Sequence, residues 1–346
     1  VTLLNHIPFS NKSDSSTVRS FLVDFETTLE LTLSHIDKPL LNSAREVVLF
    51  GGKRYRPTLC FLSGNPNANY EDLVRASIVI ELVHVASLVH DDVLDNAQHR
   101  RGKTTIHNKF GVNNAILLGD SLFSYALELS TKFKDNSVCK IVSRATRKTC
   151  SGEIAQNSSI GKFGTTINEY EQIISDKTGH LFGASCQIGG ILSGADSFDL
   201  VNLESAGISL GISYQIFDDI IDAFGNEATS GKSLGTDFLS MKPTLPLLLL
   251  LECCNKDDYL NITELLSTNS DLNFRVCEIT SYFEKYNVLN KCLSFFNTHF
   301  ERTIFLIDSL NSSSARDNLI KFVSSFSEKV TFLNTLKQSN FLAVHS

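Results

Sequence analysis

Three carboxylates, Asp91, Asp92 and Asp95, close a long apolar run that starts near Glu71 and contains neither Pro nor Gly. Such a run reads as one helix ending at about Asp95. At 3.6 residues per turn, Asp91 and Asp95 lie about 40° apart on the helical wheel and Asp92 about 100° from Asp91. Carboxylates at i and i+4 repel each other, and a helix C-terminus is already the negative pole. A hard divalent cation with oxygen ligands relieves that strain. The plainer reading is a solvated acidic helix end. The spacing recurs, however, in Asp218, Asp219 and Asp222, at the end of the run from Gly207 to Asp222. Two such clusters facing across a helical bundle can bridge several Mg²⁺ ions to a substrate that brings its own phosphate oxygens.

Cations stand close to these carboxylates in the chain. Gly51, Gly52, Lys53 and Arg56 form a glycine-hinged basic segment before Pro57, read either as a solubilising loop or as an anion cradle. Arg100, Arg101 and Lys103 follow the first aspartate cluster directly. Lys177 and Thr178 sit within a further helical run from Glu169 to Gly194, where a lone Lys is ordinarily surface. Beyond Asp222, a Gly- and Ser-rich loop to Asp237 carries Lys232 and reads as a flap over the site mouth. On the first acidic helix Ile80, His84, Ser87, Asp91 and Asp95 fall in one narrow band, as the wall of a deep pocket would. Gly207 and Gly211 each cost about 1 kcal/mol against Ala inside a helix, which implies close approach of another helix or a ligand.

The elements that position these groups are helices. Apolar residues make up 42% of the 346-residue chain and Pro numbers only 6, with little strand punctuation, so one large all-α domain is expected over residues 17–346. Residues 1–16 are polar and unpatterned and read as a flexible arm. Helices are expected from about Thr17 to Ile36, Lys38 to Leu49, Asn113 to Lys132 and from Pro243 or Pro246 onward, with residues 260–346 completing a bundle. A net charge of −7 argues against non-specific nucleic-acid binding. The eight Cys show no CxxC or zinc-ligand spacing and read as small hydrophobes in a reducing compartment. The longest uninterrupted apolar run, Leu245 to Leu251, is too short to span a bilayer. The absence of an initiating Met and of a signal-peptide pattern points to a trimmed or mature form.

In order along the chain, these motifs resemble those of the trans-isoprenyl diphosphate synthases: GGKRxRP at 51–57, ExxHxxSLxHDDxxD at 81–95, RRG at 100–102, KT at 177–178, QxxDDxxD at 215–222 and GKxxGxD at 231–237. The resemblance covers about Gly51 to Leu251. It implies the all-α isoprenoid synthase fold, a single helical bundle around a deep central cavity, normally a homodimer. It also implies head-to-tail condensation of isopentenyl diphosphate onto an allylic diphosphate such as farnesyl or geranylgeranyl diphosphate. Carried onto this chain, Asp91, Asp92, Asp95, Asp218, Asp219 and Asp222 would hold two or three Mg²⁺ ions with the allylic diphosphate. Arg100, Lys177, Thr178, Gln215, Lys232 and Lys242 would bind that leaving group, and Gly52, Lys53, Arg56, His84 and Arg101 would take isopentenyl diphosphate. Asp91, Asp92, Asp95, Asp218, Asp219 and Lys177 would carry catalysis. No side chain stands out as the base, a role the resemblance gives to the departing diphosphate.

Ile80, Val83, Ala86 and Ser87 would set product length. In the family, bulky aromatics four and five residues before the first Asp stop growth early; Ser87 and Ala86 occupy those positions here and are small. Ile80 lies about 16 Å up the helix from Asp91 at 1.5 Å rise per residue, so a product of six or more isoprene units is expected. Such a product suits a quinone side chain, with a mitochondrial location in a eukaryote or a cytoplasmic one in a bacterium, and at most loose membrane association. There are departures from the family pattern. Met241 stands where the family usually has Gly, Gly179 replaces the common Ala or Ser, and the tail lacks the usual terminal Arg. A class I terpene cyclase would share the first motif but lack the second DDxxD and the Lys53/Arg56 cradle. A non-catalytic partner subunit would show eroded motifs, and both are intact here.

Overall fold

The computed structural model describes residues 12–65, 67–225, 240–268 and 271–324. The expected flap with Lys232 falls in 226–239 and lies outside the described residues, as do most of the expected N-terminal arm and the end of the tail. The chain divides into two compact units. The first comprises Val1–Thr149, His180–Gly207 and Leu306–Ser325; the second comprises Cys150–Gly179, Ile208–Phe305 and Phe326–Ser346.

Helices build the first unit almost entirely: α1 (Lys12–Leu33), α2 (Lys38–Val48), α3 (Tyr55–Leu62), α4 (Tyr70–Leu94), α5 (Ile106–Phe110), α6 (Val112–Ser130), the first part of α7 (Ser137–Ser159), α9 (His180–Leu192), the start of α10 (Ser197–Phe224) and a run over 313–324. The α4 helix organises it. Its Asn69 side chain caps the start by accepting from the Asp72 N–H, and Glu71 and Asp72 complement the positive pole of the first turn. From Leu73 to Val89 it buries residues on nearly every side, including Ile78, Ile80 and Leu82. It is long and apolar enough to cross a membrane by length and composition, yet most of it is covered by the fold. Among the described residues the one sheet is a hairpin of β1 (His99–Arg100) and β2 (Lys103–Thr104), with Arg101 at φ 52° and Gly102 at φ 77° in its turn. Positive φ at both turn residues matches the right-handed strand twist.

The second unit holds the end of α7, α8 (Ile167–Ile174), a π-helical turn (Ser175–Gly179), the rest of α10, α11 (Leu245–Cys253), α12 (Lys256–Ser267), α13 (Leu272–Lys285) and α14 (Val288–Asp308) up to Phe305. A reciprocal capping box between Thr166 and Glu169 starts α8. Tyr170, Ile216, Ile220, Leu248, Ile279, Phe283 and Phe296 form its core. The apolar pattern from Glu169 to Gly194 reads as one helix, but the π turn interrupts it and α9 begins only at His180. A Cβ on Gly207 would lie 2.6 Å from the Gly183 Cα, so that helical glycine admits another helix, α9.

Candidate active site

In the first unit the basic segment winds through left-handed backbone, with Gly51 at φ 88°, Gly52 at φ 155° and Arg54 at φ 48°, immediately before α3. The buried Arg54 guanidinium anchors this turn. It donates to Glu26 Oε1 at 2.7 Å, to Glu81 Oε1 at 2.5 Å and to the Val48 carbonyl at 2.9 Å. Lys53, one residue earlier, is exposed. Arg56 lies over the Phe182 ring at 4.5 Å and donates to His84 Nε2 at 3.2 Å. Burial, and then the charges of Arg56, Arg101, Arg100 and Arg54, hold the His84 imidazole well below its ordinary 6.5, so the ring is neutral and accepts that bond. Arg101 donates to the Gly51 carbonyl, and a Cβ on Gly52 would meet its guanidinium at 3.0 Å. The glycine hinge therefore seats an arginine, a reason beyond the phosphate approach read from the motif.

The first aspartates close α4 beside these cations. Arg100 Nε lies 2.6 Å from Asp92 Oδ1. Burial raises the Asp92 pKa by more than Arg100 lowers it. Asp91 is half-buried and Asp95, the C-cap, is exposed. Gly51, Asp92, Arg100 and Arg101 line a cavity of about 60 Å³. Ile80, Val83 and Ala86 are buried, while half-buried Ser87 turns its hydroxyl back onto the His84 carbonyl at 2.8 Å.

In the second unit Asp219 is 5% exposed, and neutral groups are among its donors. Its Oδ2 accepts from the Tyr170 hydroxyl at 2.7 Å and the Leu245 N–H at 3.2 Å, and its Oδ1 from Gln215 Nε2 at 3.0 Å. Gln215 Oε1 in turn accepts from the Thr178 hydroxyl at 3.1 Å, which fixes the amide's orientation. Asp218 and Asp222 are half-buried. Lys177 Nζ lies 2.5 Å from Glu153 Oε2 and donates to Gln156 Oε1 at 2.7 Å. Lys242 is half-buried and follows Met241, which adopts φ 54°. That left-handed conformation explains why a Gly would suit position 241, since Gly carries no Cβ penalty there.

Among the described residues no three His, Cys, Asp or Glu side chains close a metal cage. The carboxylates present are hard oxygen donors and fit Mg²⁺, which takes few protein ligands and completes its shell with water and phosphate oxygens. Arg54 and Glu81 lie inside the motifs without a role assigned to them, and Tyr170 and Glu153 lie outside every motif. The signals for them are the motif positions of Arg54 and Glu81 and the i,i+3 spacing of Glu153 with Gln156.

Known proteins place the chain in a family. Residues 37–282 match the polyprenyl synthetase family model. Heptaprenyl diphosphate synthase component 2 of Bacillus subtilis is 33% identical over 306 residues, covering 87% of this chain and 86% of that one. Geranylgeranyl pyrophosphate synthetase from Pyrococcus horikoshii superimposes with a TM-score of 0.81 at 30% identity, covering 90% of this chain and 96% of that one. A polyprenyl synthase from Caulobacter crescentus, solved with calcium and isoprenyl diphosphate, gives a TM-score of 0.81 at 25% identity over 91% of this chain and 96% of that one. The chain belongs to the polyprenyl synthetase family, the trans-isoprenyl diphosphate synthases, and has their all-α fold. It is a prenyltransferase of the polyprenyl diphosphate synthase kind.

Proposed function

We propose that this enzyme condenses isopentenyl diphosphate head to tail with an allylic diphosphate, requires Mg²⁺, and releases a trans product of six or more isoprene units that serves as a quinone side chain. The observation that carries the reading is the convergence of Gly51, Asp92, Arg100 and Arg101 on one cavity, with Arg56 donating to His84, an arrangement suited to an anion bound with a metal. Lys53, Arg56, His84 and Arg101 bind isopentenyl diphosphate. Asp91, Asp92, Asp95, Asp218, Asp219 and Asp222 hold Mg²⁺, with Asp92 also paired to Arg100 and Asp219 bonded to Tyr170. Arg100, Lys177, Thr178, Gln215 and Lys242, with Lys232, bind the allylic diphosphate. When bound, Mg²⁺ supplies Lewis-acid neutralisation of charge on the leaving diphosphate. The cationic side chains add preorganised electrostatic stabilisation as its C–O bond breaks.

Product length rests on the small Ala86 and Ser87 below Asp91. A homodimer is supported by α6, which exposes Val112, Ile116, Leu117 and Leu127. The test is product analysis: purified protein with Mg²⁺, isopentenyl diphosphate and farnesyl diphosphate, followed by sizing of the dephosphorylated products. Long polyprenols are expected. Products of three or four units would refute the length. No product would refute the self-sufficient enzyme and send attention to a partner subunit, as the relative named component 2 invites.

A further inference from the structure

The Lys177 ammonium is held by a small apparatus in the second unit that none of the motifs includes. Gly152, Glu153 and Gln156 lie on α7, and the π turn sets Lys177 against them. A Cβ on Gly152 would stand 2.3 Å from the Lys177 backbone N, so the two backbones touch only because residue 152 is Gly. That contact brings Glu153 Oε2 within 2.5 Å and Gln156 Oε1 within 2.7 Å of Nζ. The other Glu153 oxygen accepts from Asn157 Nδ2 at 3.3 Å, which restrains the carboxylate itself. The wider π turn also separates the duties of neighbours: Lys177 reaches α7, while Thr178 reaches Gln215.

An ammonium has three N–H donors on a flexible stem. Two are engaged here, which leaves one direction for a phosphate oxygen. We propose that Glu153 is a positioning residue that acts through Lys177, confining its ammonium so that the remaining N–H is aimed before the allylic diphosphate arrives. This rests on the binding role given to Lys177 above. Glu153 also offsets the Lys177 charge, so its contribution lies in aim more than in attraction.

The test is a double-mutant cycle on the full chain. Glu153→Gln keeps the shape and removes the charge. It is expected to lower kcat about 10- to 100-fold, the scale of a misplaced catalytic group, without raising KM for farnesyl diphosphate. In a Lys177→Met background the same change is expected to add less than about 2-fold, because residues acting as a unit are not additive. Equal losses in both backgrounds, or no loss in kcat, would overturn the proposal. A second measurement needs no turnover: acylation of Lys177 by an amine-reactive ester, mapped by mass spectrometry. Several-fold faster labelling is expected in Glu153→Gln, or in Glu153→Asp if the first variant does not fold. Unchanged labelling would overturn the positioning role even in an active enzyme. Faster labelling in a protein that makes no product would leave the positioning intact and remove the assigned reaction instead.

Discussion

The two aspartate clusters share one spacing and are supported by different means. Asp92 leans on a cation, Arg100, whose side chain is 38% exposed and which is itself assigned to a diphosphate. Asp219 accepts hydrogen bonds from neutral groups on α8, α10 and the first residue of α11. The first support is electrostatic and can be drawn away by an incoming anion. The second includes a set of hydrogen bonds from neutral groups. The contrast is confined to the aspartates' own supports, because the second unit also holds ion pairs, Lys177 with Glu153 and Lys285 with Asp258. Identical motifs therefore need not imply identical mechanics.

The largest effect should come from Arg54→Met, which strands the buried Glu81. Breaking a buried pair costs about 3–5 kcal/mol, read by urea unfolding. A loss near 1 kcal/mol would show that charge does not hold the first unit. Next, Asp91→Asn and Asp218→Asn should each lower kcat by about 10²- to 10³-fold in steady-state assays at saturating Mg²⁺. A large loss in only one would break the symmetry of the two clusters. Third, Asp219→Asn sets an NH₂ against donors in a buried site and should cost about 2 kcal/mol. Asp92→Asn loses a partly exposed ion pair and should cost below about 1 kcal/mol, because burial works against that charge. Reversal of that order in thermal unfolding would invert the comparison.

A smaller effect separates the units by pH. His84 has its folded pKa depressed below 6.5, so below that value the unfolded chain takes up a proton that the folded chain resists. Its contribution is present above about 6.5 and is lost as pH falls toward the depressed folded value. Unfolding followed from pH 7 to 5 should therefore be steeper for the wild type than for His84→Gln. At Met241, Gly should relieve left-handed strain worth about 1 kcal/mol but forgo the side chain's packing against the second unit's core, for a net slight rise in Tm.

Much of this was legible in the chain because it is local. The span of α4 follows from an unbroken apolar run between an Asn cap and three carboxylates, and α2 from Pro39 at its start. The aspartates, His84 and the arginines are fixed by spacing along single helices and one tight hairpin. What escaped is contact between distant segments. Glu153 meets Lys177, and Tyr170 meets Asp219, only once helices pack, and periodicity carries no record of the partner. The π turn escaped because an extra residue in a helix leaves an apolar run apolar. Gly52 shows the intermediate case: its backbone freedom was readable, but the arginine it accommodates was not.

The carboxylate of Glu81 has a consequence for biosynthesis. It sits near the midpoint of α4, the one described helix with the length and hydropathy of a membrane span. On the ribosome, α1 and α3 emerge before it, but α6 and α9, which complete its packing, emerge later. At ~5–20 residues per second, the roughly 100 residues to the end of α9 leave α4 partly uncovered for about 5–20 s. A charged residue at the centre of a helix opposes translocon insertion by about 2.5–3.5 kcal/mol. The residue that clamps Arg54 in the finished enzyme thus also discourages the nascent helix from entering a bilayer.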